Sequence, residues 1–312
     1  AIANEMLNAP YLDVIMGAGH PEFDDNGTAR AKPSARYVGG PATWQALKKG
    51  THPGGWTLVQ TKAEFKALAA GPTPGKVLGV AQVASTLQQA RGAYQATDTP
   101  DSAPRNENVP TLATMVRAAL NVLDDDPDGF YLHIEGGAVD WANHGNQPAR
   151  MIEEQLDFLR AVEAVTAWVQ THGGWGRTLL ILTADHDCGL VWGPHSDTVP
   201  YEPIVDRGAG KMPALRYNSN SHTNSLVPVY AIGAGSSLFA EYAVRRDPVY
   251  GPYVDNTDLF RVMSRALAEP AAGRPPGPVP ASSGSQISDS GARVSNPATR
   301  ESPAGRELQP AR

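Results

Sequence analysis

Apolar residues along this chain fall into short continuous runs and longer stretches of helical spacing, separated by breaks rich in Gly and Pro. The continuous runs at residues 11–17, 56–60, 76–82, 130–134, 178–184 and 226–232 predict buried strands. Thr61-Lys-Ala-Glu64 is a capping box that starts a helix reaching Ala70. A shorter helix follows Gly39-Gly40 through Leu47, and another runs from Asp255 to about Ala268. Leu112, Met115, Val116, Leu120 and Val122 give an apolar side to a helix opened by Pro110, whose missing N–H costs nothing in a first turn. The most regular pattern lies at residues 149–171, where Ile152, Leu156, Leu159, Val162, Val165 and Val169 recur at spacings of three and four. This helix sits between the strands at 130–134 and 178–184. Strand, helix, strand forms a βαβ unit, which predicts two parallel strands with a right-handed crossover, whether or not they are immediate neighbours.

Two stretches lack periodicity. Residues 84–108 are polar and read as a long surface connection, and residues 193–224 form a second loop rich in Gly, Pro, Ser and Asn. After Glu269-Pro270 large apolar residues almost vanish, so residues 1–270 are the folding unit and 271–312 a Pro/Gly/Ser/Arg-rich tail predicted to be disordered. The whole chain has 312 residues, 41% hydrophobic and 19% charged, with a formal charge of −6. That charge, without any Lys/Arg cluster, excludes a nucleic-acid partner. No apolar run approaches the roughly 20 residues of a membrane span. The single cysteine, Cys188, rules out an internal disulfide. No signal peptide is visible, but the sequence begins Ala-Ile-Ala without an initiator Met.

The chemistry gathers where the strands end, which is where open α/β sheets place their sites. The 130–134 run stops at Glu135 and breaks on Gly136-Gly137, and Asp140 and His144 follow at i and i+4. On a helix those two side chains leave one face, roughly 5–6 Å apart at Cβ. A carboxylate and an imidazole so placed suit one divalent metal such as zinc. The 178–184 run ends likewise in Asp185-His186. A metal held by Asp140 and His144 needs a third protein ligand, and spacing does not choose between His222 and His195. Of the other histidines, His133 reads as a packed residue within its strand. His172 sits at a helix end where the dipole favours a cation. His20 and His52, like His195, lie in loops and read as solvated.

Glu135-Gly-Gly-Ala-Val-Asp140-Trp-Ala-Asn-His144, Thr183-Ala-Asp185-His186 and Ser221-His222-Thr223 resemble, in this order, the three metal-binding segments of the alkaline phosphatases. The resemblance extends from the first strand to about Ala268. It implies a doubly wound, mostly parallel α/β sheet and selects His222 over His195. Transferred by position, it implies that Asp140, His144 and His222 bind one zinc. Asp185 and His186 would supply two ligands of a second zinc, and Glu135 one ligand of a magnesium. Trp141 stands where other members carry Lys or His near the phosphate, as in a bacterial subgroup. Cys188 stands where some members have His. The implied reaction is hydrolysis of a phosphate monoester through a phosphoseryl intermediate, with two metals roughly 4 Å apart steadying both apical oxygens.

The family carries its nucleophilic serine, its phosphate-clamping arginine and its remaining ligands in an amino-terminal half for which this sequence has no counterpart. Ser34, Ser85 and Ser102 do not sit in the Asp-Ser-Ala context of that nucleophile, so no catalytic nucleophile is assigned. The expectation is therefore a phosphatase fragment, inactive alone, with an open sheet edge and an uncovered apolar face. Its partners would be a phosphate monoester, the missing half and a second copy in a homodimer. Family habit places it in the periplasm or outside the cell. The competing readings are a non-catalytic metal-binding remnant or interaction module, and a sulfatase or phosphodiesterase of the same superfamily.

Overall fold

The computed structural model describes residues 2–268, so the tail expected at 271–312 lies outside the described residues. The first half contains α1 (Ile2–Asn8), β1 (Val14–Gly17), α2 (Pro41–Lys48), β2 (Thr57–Val59), α3 (Lys62–Leu68), β3 (Val77–Val80) and α4 (Leu112–Leu123). The site region follows with α5 (Ala138–His144), α6 (Pro148–Thr171), β4 (Leu179–Leu182), β5 (Asp187–Cys188) and β6 (Val191–Trp192). Then come β7 (Arg216–Tyr217), β8 (His222–Thr223), β9 (Tyr230–Gly233), α7 (Phe239–Tyr242), β10 (Arg245–Asp247), β11 (Gly251–Tyr253) and α8 (Asn256–Ala268).

A parallel sheet in the order β1-β3-β2 organises the first half, with Val77 paired to Val14 on one side and to Thr57 on the other. All of β3 is buried, as its continuous apolar run requires. Strand alternation then divides its side chains between two layers. Val77 packs with Val59, Phe65, Met115 and Val122 beneath α3 and α4, while Leu78 and Val80 meet Leu7, Trp44, Leu47 and Trp56 on the opposite face. Helices on both faces of parallel strands make this a doubly wound α/β layer. Gly79 has to be glycine, because a Cβ there would sit 2.6 Å from the Phe65 ring. The capping box forms as the sequence predicts, with Glu64 N–H donating to Thr61 Oγ1 at 3.2 Å and Thr61 N–H to Glu64 Oε2 at 2.6 Å.

Several expectations change. The helix expected to open at Pro110 begins at Leu112, because Thr111 accepts the Thr114 N–H and so is its cap. Asp157 Oδ2 accepts the Leu112 N–H at 3.2 Å, adding a carboxylate to the positive end of α4. In α6 the carboxyl-terminal half packs as its pattern predicts, with Ala161, Ala164, Val165 and Val169 against Val116 and Leu120. The amino-terminal half turns the other way. Arg150, Glu153, Glu154 and Asp157 are buried, whereas Leu156 and Leu159 are 45% and 42% exposed.

The cause lies in the 84–108 stretch, which is no simple surface connection. Its Arg91 is buried and reaches Glu153 at 2.7 Å, and Arg150 meets the same carboxylate at 3.3 Å. Arg91 also donates to the carbonyls of Gln88, Ala103 and Pro104, and Asp101 N–H donates to Glu153. The charged face of α6 is thus the face that ties down this connection.

The strand expected at 130–134 has no ladder partner among the described residues. Phe130, Leu132 and Ile134 alternate inward onto the α4–α6 core, while Tyr131 and His133 point out. His133 is therefore exposed, not packed, because only one face of this segment is covered. The strand at 178–184 forms β4, but it pairs antiparallel with β9 and not with 130–134. In β9, Tyr230 and Ile232 are exposed too. Gly233 has φ +98°, and a Cβ there would collide with the Thr178 carbonyl, so glycine lets the two strands part. His20, expected in a solvated loop, is buried, donating from Nε2 to Gln60 and accepting the Glu22 N–H at Nδ1. Burial holds its imidazole below the ordinary range despite the Gln60 bond, so it is neutral.

Removing one member of the buried Arg91–Glu153–Arg150 group leaves an uncompensated charge, which costs about 3–5 kcal/mol. Urea unfolding of Glu153→Ala should show a loss of that size. Glu154 gives an effect of opposite sign. Burial first, then Asp157 and Glu153, pushes its carboxyl up to about 7. Between the ordinary value of 4.5 and about 7 the folded chain keeps a proton that the unfolded chain has lost, so stability falls as pH rises through that window. Glu154→Gln should match the parent near pH 4 and exceed it by on the order of 1–3 kcal/mol at pH 8.

Candidate metal centre

Helix α5 is short, and its placement depends on Gly136, where a Cβ would lie 2.8 Å from the Phe158 ring of α6. That close approach seats the first turn of α5 on α6, with Ala142 fully buried behind it. Asp140 and His144, one turn apart, then face the same way. The 218–222 stretch comes to meet them through β5 and β8, which pair Asp187 with Thr223 and Cys188 with His222. Gly189 N–H donates to the Ser221 carbonyl, and Thr223 Oγ1 donates to Asp187 Oδ2 at 2.8 Å. Tyr217 on β7 donates its hydroxyl to Asn143 Oδ1 at 3.0 Å, tying the same region to α5. Burial raises the Tyr217 phenol above its ordinary range, which keeps that donor protonated.

His144 Nε2 lies 2.9 Å from His222 Nε2, and His222 Nε2 lies 3.1 Å from Asp140 Oδ1. His144 Nε2 is 3.5 Å from Asp140 Oδ2. Donor atoms around a tetrahedral zinc stand roughly 3.3 Å apart, given bonds of about 2.0–2.1 Å. The three side chains therefore match such an ion to within a few tenths of an ångström, and one oxygen with two nitrogens is a donor set zinc accepts. His144 Nδ1–H donates to the Asn220 carbonyl at 2.7 Å, which leaves the Nε2 lone pair directed into the cluster. Side-chain exposures of 31% for Asp140, 40% for His144 and 45% for His222 leave the cluster open to an entering ion.

A fourth side chain joins them. The ligand atoms of Asp140, His144, Cys188 and His222 all lie within 4.8 Å of one another. Cys188 is buried, and its sulfur donates weakly to the Asp140 carbonyl at 3.6 Å. Burial above all, then the nearby Asp140 and Asp187, pushes the thiol up to about 12.

The other sequence-derived candidates fall in different places. His186 stacks on His222, ring centres 3.5 Å apart, and pairs with Asp185 at 3.2 Å. Asp185 itself is largely exposed. Glu135 is exposed beside Gly137 and stands outside the four-residue group. His195 pairs instead with Glu202 at 3.0 Å, apart from the cluster. Trp141 is half exposed and lines a hollow of about 180 Å³ with Tyr37 and Ser85.

A parallel α/β layer with an Asp-His-His group beside it that could hold a metal ion defines a class of α/β proteins, and comparison with known proteins narrows this class. The alkaline phosphatase family profile matches residues 1–203. The chain belongs to the alkaline phosphatase family. It is 28% identical over 275 residues to alkaline phosphatase H of Pseudomonas aeruginosa, covering 82% of this chain and 52% of that protein. It is 26% identical over 285 residues to alkaline phosphatase of Escherichia coli, covering 86% of this chain and 55% of that one. The chain thus spans about half the length of the curated relatives it matches. Among solved structures, the alkaline phosphatase of the Antarctic bacterium TAB5 aligns at a TM-score of 0.54 and 20% identity over 86% of this chain and 63% of that one. That of Thermus thermophilus gives 0.53 and 22% over 86% and 64%. These likenesses establish the alkaline-phosphatase-like fold. A variant of the TAB5 enzyme is described with Mg bound in its M3 site.

The geometry predicts that zinc binds the purified chain and that His222→Ala weakens it by at least about 10–100-fold. A chelator competition titration measures this. Unchanged affinity and stoichiometry would remove His222 from the ligand set.

Proposed function

We propose that this chain carries the metal-binding part of a zinc- and magnesium-dependent phosphomonoesterase. The observation that supports this most is the convergence of His222 on His144 and Asp140, 78 and 82 residues away in sequence. In this reading Asp140, His144 and His222 hold one zinc, Asp185 and His186 supply two ligands of a second, and Glu135 supplies one ligand of a magnesium. When bound, the ions supply Lewis-acid charge to the phosphoryl oxygens and lower the pKa of a coordinated hydroxyl or water.

The chain's own residues prepare that site. The Asn220 carbonyl fixes the tautomer of His144, and the Asp140 carboxylate receives the His222 imidazole. Stacking on His186 limits how the His222 ring can turn. A phosphate monoester approaches from the exposed side of the three ligands. Trp141 offers no charge to it, unlike the Lys or His of other members.

The nucleophilic serine and the arginine clamp come, in this reading, from a preceding segment that also covers the outward side of 130–134 and β9. The half-length match to relatives and the exposure of Tyr131, Tyr230 and Ile232 support that assignment. The complete enzyme is a homodimer exported to the periplasm or outside the cell. Among the described residues no helix is long and apolar enough to cross a membrane. A second reading, a non-catalytic metal-binding chain, is favoured by one observation, the presence of Cys188 in the ligand group.

Residues 1–312 alone should hydrolyse an aryl phosphate negligibly, and adding the amino-terminal half of a family member in trans should restore turnover. Strong activity from the chain alone would place a nucleophile within it. No turnover after complementation with a demonstrably bound partner would favour the non-catalytic reading.

A further inference from the structure

The reading above assigns three protein ligands to one ion, and the fourth side chain in that group has no role in it. Cys188 stands directly opposite His222 in the β5–β8 pair. Directly opposed residues project to the same face of a ribbon, with Cβ atoms about 4.5–5.5 Å apart. The Cys188 sulfur is therefore carried to the same point as the His222 ring, and α5 brings Asp140 and His144 to that point from the other side. The four donor atoms lie within 4.8 Å of one another. Burial separates them into two kinds, because Cys188 is 8% exposed while the other three side chains are a third to a half exposed. The sulfur approaches from the protein side, opposite the solvent-facing donors. Within the cluster it makes the long S–H···O to the Asp140 carbonyl, a weak interaction that an ion would readily replace.

We propose that Cys188 is a fourth protein ligand of the ion held by Asp140, His144 and His222. This rests on those three residues holding an ion. Coordination forms a sulfur–metal bond and releases the thiol proton to solvent, with no change of oxidation state. Four protein donors complete a tetrahedral set, so a phosphoryl oxygen or water would reach the ion only by expanding its coordination to five or by displacing the thiolate. A thiolate also turns the donor set toward zinc and cobalt and away from magnesium and manganese.

The test is a Co²⁺ titration of the full, zinc-free chain followed by absorption spectroscopy. The expected result is strong visible bands of four-coordinate cobalt together with a near-ultraviolet sulfur-to-cobalt charge-transfer band. Cys188→Ser should keep visible bands, lose the near-ultraviolet band and bind Co²⁺ at least about 10-fold more weakly. The parent spectrum decides the matter even if that variant folds poorly, and Cys188→Ala with a circular dichroism check provides a second variant. Visible bands without charge transfer in the parent would overturn the role of Cys188 while leaving the Asp140–His144–His222 site intact. Absence of visible bands, or bands unaffected by His222→Ala, would overturn the three-ligand reading itself.

Discussion

Two backbone pairs, Asp187 with Thr223 and Cys188 with His222, join the stretch after β4 to the loop before β9, and the arrangement of the candidate metal centre follows from that join. A two-residue ladder is weak alone, so its neighbours matter. Gly189 bonds to Ser221, Asn218 and Ser219 bond back to the Gly189 carbonyl, and Tyr217 reaches Asn143 on α5. Each contact closes a loop of some thirty residues or more onto the same few atoms. The entropy of closing such a loop rises only slowly with its length, so several modest bonds suffice. His222 is consequently delivered to Asp140 and His144 by backbone geometry, before any ion is considered.

The helix beneath α5 has to be equally firm, and its firmness has an unusual source. Half of the buried side of α6 is charged. Arg91, Arg150 and Glu153 pair with one another and with four backbone carbonyls of the 84–108 connection, while Asp157 receives the first N–H of α4. Such a group contributes little net stability against an apolar alternative, but it admits few alternative registers, since a slip would strand its charges. Glu154 stands at the margin of this arrangement, with Oε1 lacking a partner in the described structure, as does Asp157 Oδ1.

Much of this was legible in the sequence where the local signal and the tertiary outcome coincide. The capping box at Thr61 and Glu64, the buried run of β3 and the i, i+4 pair of Asp140 and His144 each depend on residues close in sequence. The failures share the opposite property. Leu156 and Leu159 have helical spacing, yet the buried direction of α6 was set by Arg91, some sixty residues earlier. His133 lies in an apolar run whose outer face has no cover among the described residues. His20 is buried by Phe23 and Trp44, against which its ring packs edge-on. Spacing left His195 and His222 equivalent. The family resemblance chose His222, the β5–β8 pairing is the physical contact that carries it to Asp140 and His144, and the same pairing brings in Cys188, which the sequence offered as a substituted position without a partner.

The hydrogen bond from His144 Nδ1 to the Asn220 carbonyl carries a consequence for how the loop at 218–221 can vary. The ring's orientation and tautomer are settled by a main-chain oxygen, so an ion arriving at Nε2 meets a donor whose rotational freedom has already been surrendered in folding. Affinity for an ion at this site would then be a property of loop shape as well as of ligand identity. A change that moves the Asn220 carbonyl, even one that leaves every coordinating side chain in place, would retune the centre from behind.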